Sequence, residues 1–256
     1  MPLVRTALYD QELWKLDRWL HFGISPSVFA VELVSGTALA PFLDRWYELW
    51  VSSLSIIMAY FFAMERPERL RNFALAVIVL WTVGAWSYLA FPALGPCFAS
   101  PDILSPIRAE IPNAVKMQAT LWAHYLQMVK GRTGFLTSFQ PEFGVAAMPS
   151  LHVGAHALFF FWCRRHDRWL RIPAAIATGL TFFGSVVTGW HYAVDGYAGI
   201  LLAWFAVAAA DRIDPIPADA TAADTPVATV PPEAPAPPAG AASGAARLGL
   251  DAGPAA

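Results

Sequence analysis

Apolar residues along this chain gather into long runs broken by short polar interruptions, without the strict alternation of a half-buried strand. A helix needs about 20 apolar residues to cross a hydrocarbon core of roughly 30 Å. Residues 73–91 and 172–190 meet that length without a charge. Residues 26–43, 46–63 and 192–210 each carry one acidic residue: Glu32, Glu48 and Asp195. A shorter run, 149–163, opens on "PSLHVGAH" and holds His152 and His156. The pattern predicts an all-α fold, a polytopic membrane bundle of about six transmembrane helices.

The intervening segments divide the chain. Residues 92–148 are too polar to span and predict a long outer loop, with a short helix over 114–129 lying across the outer mouth. At the N-terminus, Leu13, Leu16 and Leu20 recur at helical spacing among Lys15, Asp17 and Arg18, predicting an interfacial amphipathic helix. The first twenty residues hold no apolar core of a cleavable signal peptide. From about Asp214 the chain is rich in Ala and Pro ("TPVATVPPEAPAPPAGAASG"), which predicts a disordered tail. The expected organisation is an interfacial segment (1–25), a transmembrane domain (26–212) and a tail (213–256), with no internal repeat.

Basic residues set the expected orientation. "ERPERLR" (65–71) and "CRRHDRWLR" (163–171) are short, Arg-rich links between candidate spans, so both are expected on the cytoplasmic side. Alternation then puts both chain ends inside and the junctions at Phe91, Pro149 and His191 outside. Two histidine-bearing motifs therefore share one membrane face, which apolar periodicity alone does not require.

Composition narrows the classes. Hydrophobic residues make up 57% of the chain and charged residues 14%, whereas a soluble domain carries about 25% charged residues. That argues against a soluble helical core. Eleven Trp and seventeen Phe fit membrane interfaces. A net charge of −2 gives no basic field for nucleic acid, so the bilayer is the expected partner. Cys97 and Cys163 are too few for a disulfide framework and stand in no metal-ligand spacing.

The histidine motifs carry the candidate chemistry. In "GWHYAVDGYAG" (189–199), His191 and Asp195 lie four residues apart, about one helical turn. A carboxylate on one ring nitrogen fixes the tautomer and makes the other nitrogen a better nucleophile. The same pair can also serve as a structural contact at an interface. In "AAMPSLHVGAH" (146–156), Pro149 suits a first helical turn, leaving the amides of Ser150, Leu151 and His152 without intrahelical acceptors. Such amides make an anion site that suits phosphate, with His152 beside it to protonate a leaving oxygen. A simple capped helix start is the plainer alternative. Together the motifs suit phosphoryl transfer through a phosphohistidine. His152 and His156 also form an HxxxH pair, but without the Glu of H-E-x-x-H, and His156 is expected to pack rather than bind zinc.

"MPSLH" followed by "GWHYAVDGYAG" resembles the type 2 phosphatidic acid phosphatase (PAP2) superfamily, most closely its inositol phosphorylceramide synthase-like, inositolphosphotransferase branch. The resemblance covers about 87–204, including the proline-rich span exit "YLAFPALGP". It implies that His191 is the nucleophile, Asp195 its orienting carboxylate, His152 the general acid and Ser150 part of the phosphate cradle, with no metal or cofactor. It also implies a lipid phosphate or phospholipid substrate. The chain departs from the phosphatase members in lacking K-x6-R-P and in having Ser185 where they carry an arginine six residues before the nucleophile. Charge neutralisation still calls for cations. The outer loop offers Arg108, Lys116, Lys130 and Arg132, of which Lys130 and Arg132 ("KGR") are nearest in sequence to the site.

The leading expectation is an integral membrane phosphotransferase or phosphatase working at the outer, extracytoplasmic face. Hydrolysis of a lipid or isoprenoid phosphate is the alternative within the same chemistry. A transporter whose buried His and Asp relay protons, or a membrane scaffold, is the alternative of another class.

Overall fold

The computed structural model describes residues 8–129, 148–167 and 169–217. The described residues form ten α-helices and no strand. Helix α1 (Asp10–Leu20) precedes α2 (Pro26–Val34) and α3 (Leu39–Glu48), followed by α4 (Trp50–Met64) and α5 (Pro67–Ala90). The loop after α5 holds α6 (Pro96–Ala99), a 3₁₀ turn (Pro101–Leu104) and α7 (Pro112–Val129). The chain continues through α8 (Leu151–His166), α9 (Arg171–Val187) and α10 (Ala193–Ile213). The expected tail, from 218 onward, lies outside the described residues, as do Lys130 and Arg132.

Two helices, α5 and α10, are each long and apolar enough to cross a membrane. The run at 26–43, expected as one span, is instead divided between α2 and α3, which bend by 119°. Gly36, at φ +72°, turns the chain there, and the Thr37 amide and hydroxyl both donate to the Val34 carbonyl at the broken helix end. Residues Ser52–Ala63 of α4 and Arg171–Val187 form shorter apolar helices, and α8 has only 16 residues. Among the described residues the runs expected to give about six spans form two full-length helices, one bent pair and the shorter helices α4, α8 and α9.

Helices α5, α8, α9 and α10 pack around a core that includes Phe61, Phe73, Leu80, Leu158, Trp162 and Val207. Glycines let the helices approach closely: an added Cβ on Gly154 would lie 3.1 Å from the Gly199 carbonyl oxygen on α10. Ile78 and Trp86 on α5, Ile172 and Ile176 on α9, and Leu201 and Trp204 on α10 point outward, as apolar residues do where the solvent is lipid.

The Arg-rich segments meet at one end of the bundle. Arg71 pairs with Asp214, Arg165 with Asp211, and the Tyr60 hydroxyl donates to Asp167. These segments are more helical than expected. Pro67 starts α5, so Arg69 and Arg71 lie inside it, and Arg164, Arg165 and His166 form the last turn of α8, where cations complement the helix dipole. His152 lies about 20 Å away along α8, at 1.5 Å per residue.

Helix α1 differs from its expected stripe. Leu13 is buried, but Leu16 and Leu20 are exposed, and the buried face is Asp10, Leu13 and Asp17. Both carboxylates accept backbone amides distant in the chain, Asp10 from the loop after α5 and Asp17 from the start of α10, which is why they can be buried.

Candidate active site

The α8 motif begins with Ser150, which is fully buried. Its side chain accepts from the Val153 amide at 3.3 Å and its carbonyl from the Gly154 amide at 2.9 Å, so Ser150 is the N-cap of α8. Two expectations change. Pro149 stands ahead of the cap rather than in the first turn, and the Ser150 amide is taken by the Asp195 carbonyl at 2.9 Å. The amides of Leu151 and His152 are left as the first two of the helix, positions without an acceptor in their own helix. The Leu151 amide donates to the Tyr88 hydroxyl oxygen, which leaves the His152 amide as the open one.

The second motif sits in the turn from α9 to α10. Gly189, at φ +74°, reverses the chain, and the Ser185 carbonyl then receives the amides of Trp190 (3.0 Å) and His191 (3.2 Å). Ser185 thus places His191 through its backbone, while its hydroxyl donates back to the Phe182 carbonyl. The turn is braced from α6, where the Cys97 amide donates to the Gly189 carbonyl at 2.8 Å. A Cβ on Gly95, already at φ +92°, would collide with the Trp190 carbonyl oxygen. Burial pushes the Cys97 thiol up, which keeps it protonated and unreactive.

These two local structures bring together residues 39 positions apart. His152 Nδ1 lies 3.5 Å from His191 Nε2, with the rings inclined at 61°. Behind His191, Asp195 Oδ2 lies 3.5 Å from Nδ1. That is longer than a formed N–H···O bond, and His191 Nδ1 and Asp195 Oδ1 have no hydrogen-bond partner among the described residues. Catalytic hydrogen bonds are often long before substrate binds. Asp195 is held meanwhile by the Tyr192 amide, which donates to Oδ2 at 2.9 Å and completes a capping box on α10. His191 is 3% exposed and Asp195 0%.

Two partners of His152 escaped the sequence reading. The Tyr47 hydroxyl lies 2.9 Å from His152 Nδ1, and the Trp50 ring stands edge-on to the imidazole at a centroid distance of 4.1 Å. Both come from the α3–α4 junction, where aromatics read simply as membrane-interface residues. Tyr47→Phe keeps the ring and removes the hydroxyl. We expect it to lower kcat about tenfold with little change in melting temperature, since it frees one hydrogen-bonded ring. An unchanged kcat would exclude Tyr47 from setting the state of His152.

The other candidates are more widely spread. His156 is buried with both ring nitrogens engaged, Nδ1 with the His152 carbonyl at 2.9 Å and Nε2 with Ser53 at 3.1 Å. Arg108 and Lys116 are exposed, and Lys130 and Arg132 fall outside the described residues. His21 reaches the Asp17 carbonyl and Tyr197 hydroxyl, away from the histidine pair.

The chain matches the PAP2 superfamily over residues 11–209, and it belongs to that superfamily. No curated protein and no solved structure gives a significant match. Membership makes this a membrane protein of a superfamily of phosphatases and phosphotransferases acting on lipid phosphates.

Proposed function

We propose that the chain is an integral membrane phosphotransferase or phosphatase that takes a lipid-linked phosphate at the extracytoplasmic face through a phosphohistidine on His191. One observation carries this reading: His152 and His191 meet at 3.5 Å with Asp195 behind His191, at the end of the bundle opposite the arginine cluster. Positive-inside placement of those arginines puts the histidines outside.

In the first step His191 Nε2 attacks phosphorus and the bond to the leaving oxygen breaks. His152 gives that oxygen a proton, and Asp195 stabilises the charge that forms on His191. In the second step water, or a lipid alcohol, attacks the phosphohistidine and gives its proton to His152. His191 leaves as the neutral ring. The His152 amide contributes to the anion cradle, with Ser150 fixing its position as the N-cap of the same helix. The α10 amides do not contribute, since Asp17 already holds those of Ala193 and Val194.

Near-attack contacts of about 3–3.5 Å on each side of a phosphoryl group place the two histidine nitrogens roughly 6 Å apart. Substrate therefore parts the rings from their 3.5 Å separation. Lys130 and Arg132 are the proposed cations for the phosphate oxygens. Head-group transfer, inositolphosphoryl transfer included, is favoured over hydrolysis by Ser185, which stands in place of the arginine of the phosphatase members.

The test is a mixed panel of lipid phosphates and phospholipids, with and without lipid alcohols and inositol lipids. Mass spectrometry would follow released phosphate and new head-group conjugates. The rate should follow a bell in pH, because one histidine must be neutral and the other protonated, and a chelator should leave it unchanged. Loss of activity in a chelator, restored by zinc, would return His152 and His156 to a metal site. Head-group conjugates support transfer; free phosphate alone makes this a lipid or isoprenoid phosphate phosphatase.

A further inference from the structure

We infer that Asp17 of α1, assisted by Asp10, is a positioning residue that holds the turn bearing His191 in its reactive geometry; this rests on the reading of His191 as nucleophile. Asp17 is 2% exposed, and its two oxygens accept the amides of Val194 (2.9 Å) and Ala193 (3.0 Å). Those amides belong to the first turn of α10, directly after His191. They lie 176 and 177 positions from Asp17 in the chain. Asp10 does the same for the neighbouring loop, accepting the amides of Leu94 and Gly95 and the Tyr192 hydroxyl, the last at 3.1 Å. One side of a single short helix therefore grips both the exit of α5 and the turn at 189–195.

The need for such a grip follows from local structure. Helix α10 starts with amides that lack intrahelical acceptors, at residues that are buried. Its own capping box engages Tyr192 and Asp195 but leaves Ala193 and Val194 open. Without Asp17 those two amides would seek new partners, and His191 is two and three residues away. Both Asp17 oxygens accept, the arrangement of an ionised carboxylate. Burial outweighs the two amides and leaves this carboxyl above the usual carboxylate range. Its charge also offsets the positive end of α10 beside the nucleophile.

A purely structural cap would behave differently, and the fold contains one for comparison. Asp44 on α3 accepts the amides of Asn113 (2.9 Å) and Ala114 (2.8 Å) at the start of α7. It is the same bonding pattern on a helix that carries neither histidine.

The experiment uses the full chain in detergent with dioctanoyl phosphatidic acid as probe, comparing wild type, Asp17→Asn, Asp44→Asn and His191→Ala. Thermal melts, kinetics and amide hydrogen exchange over 189–196 would be read together. Asp17→Asn should speed exchange at 192–195 at least tenfold and lower kcat about 10²-fold, with KM within threefold, as expected of a misplacement near 1 Å. Asp44→Asn, at a comparable fall in melting temperature, should leave kcat within threefold. An unchanged kcat for Asp17→Asn, or an equal fall for both carboxylate variants, overturns the inference. Normal turnover by His191→Ala overturns the nucleophile reading instead. The exchange measurement needs no substrate, so unchanged protection at 192–195 in Asp17→Asn defeats the clamp by itself.

Discussion

His191→Ala should reduce turnover of lipid phosphate by about 10⁴-fold or more while the bundle stays folded. Loss of a covalent nucleophile removes the two-step route, leaving only what the anion cradle and binding supply. The imidazole contributes little to folding by comparison. Its Nδ1 has no hydrogen-bond partner among the described residues, and the backbone bond from its amide to the Ser185 carbonyl does not depend on the side chain. Asp195 keeps its bond from the Tyr192 amide. A stability cost of about 1–2 kcal/mol is the expected range for such a buried truncation. Phosphate release and trapping of an acid-labile phosphoprotein check the result. A variant that still forms the phosphoprotein places the nucleophile elsewhere.

Gly199→Ala should be highly damaging for so small a substitution. A Cβ on Gly199 would collide with the Ser150 carbonyl oxygen and lie 3.2 Å from the Gly154 amide nitrogen. Those are backbone atoms of the first turn of α8 and its cap, so no side chain can swing aside. Helix α8 must move, and with it Ser150, His152 and the bond from the Ser150 amide to the Asp195 carbonyl. Overpacking of this kind costs about 1–3 kcal/mol. Displacing His152 from His191 by about 1 Å should lower kcat about 10²-fold. Gly179→Ala on α9 is the matched control, because a Cβ there meets nothing within 4 Å. It should leave activity intact and raise stability by up to about 1 kcal/mol. Equal behaviour of the two variants in melts and kinetics would sink the argument from close approach.

Much of the helix content was legible from run length and polarity. The expected runs at 73–91, 172–190 and 192–210 fall largely on α5, α9 and α10, and the expected helix at 114–129 falls on α7. The break at 35–38 is not legible, because a run containing Gly36 has the same mean hydropathy bent or straight. The motifs at 148–154 and 188–199 are legible in the sequence as candidate chemistry, because their residue types and spacing are local. The number of full spans was not legible, since a short helix packed between longer neighbours reads like any other apolar run.

The sequence by itself determined that the chain is helical and membrane-embedded, and that its histidine motifs open two helices at the same end. These properties depend on the length and polarity of single segments, which are local. The tertiary structure alone decided that Tyr47 and Trp50 attend His152 and that Gly154 and Gly199 seat α8 on α10. It also decided that Asp17, read from the sequence as a polar residue of an amphipathic helix, is buried together with Asp10 on the turn that bears His191. The reason is physical. In a lipid environment an apolar face is equally satisfied by lipid or by another helix, so hydropathy does not say which helices touch. Their pairing is set by close packing and by hydrogen bonds between groups far apart in the chain, which only the folded bundle brings within reach.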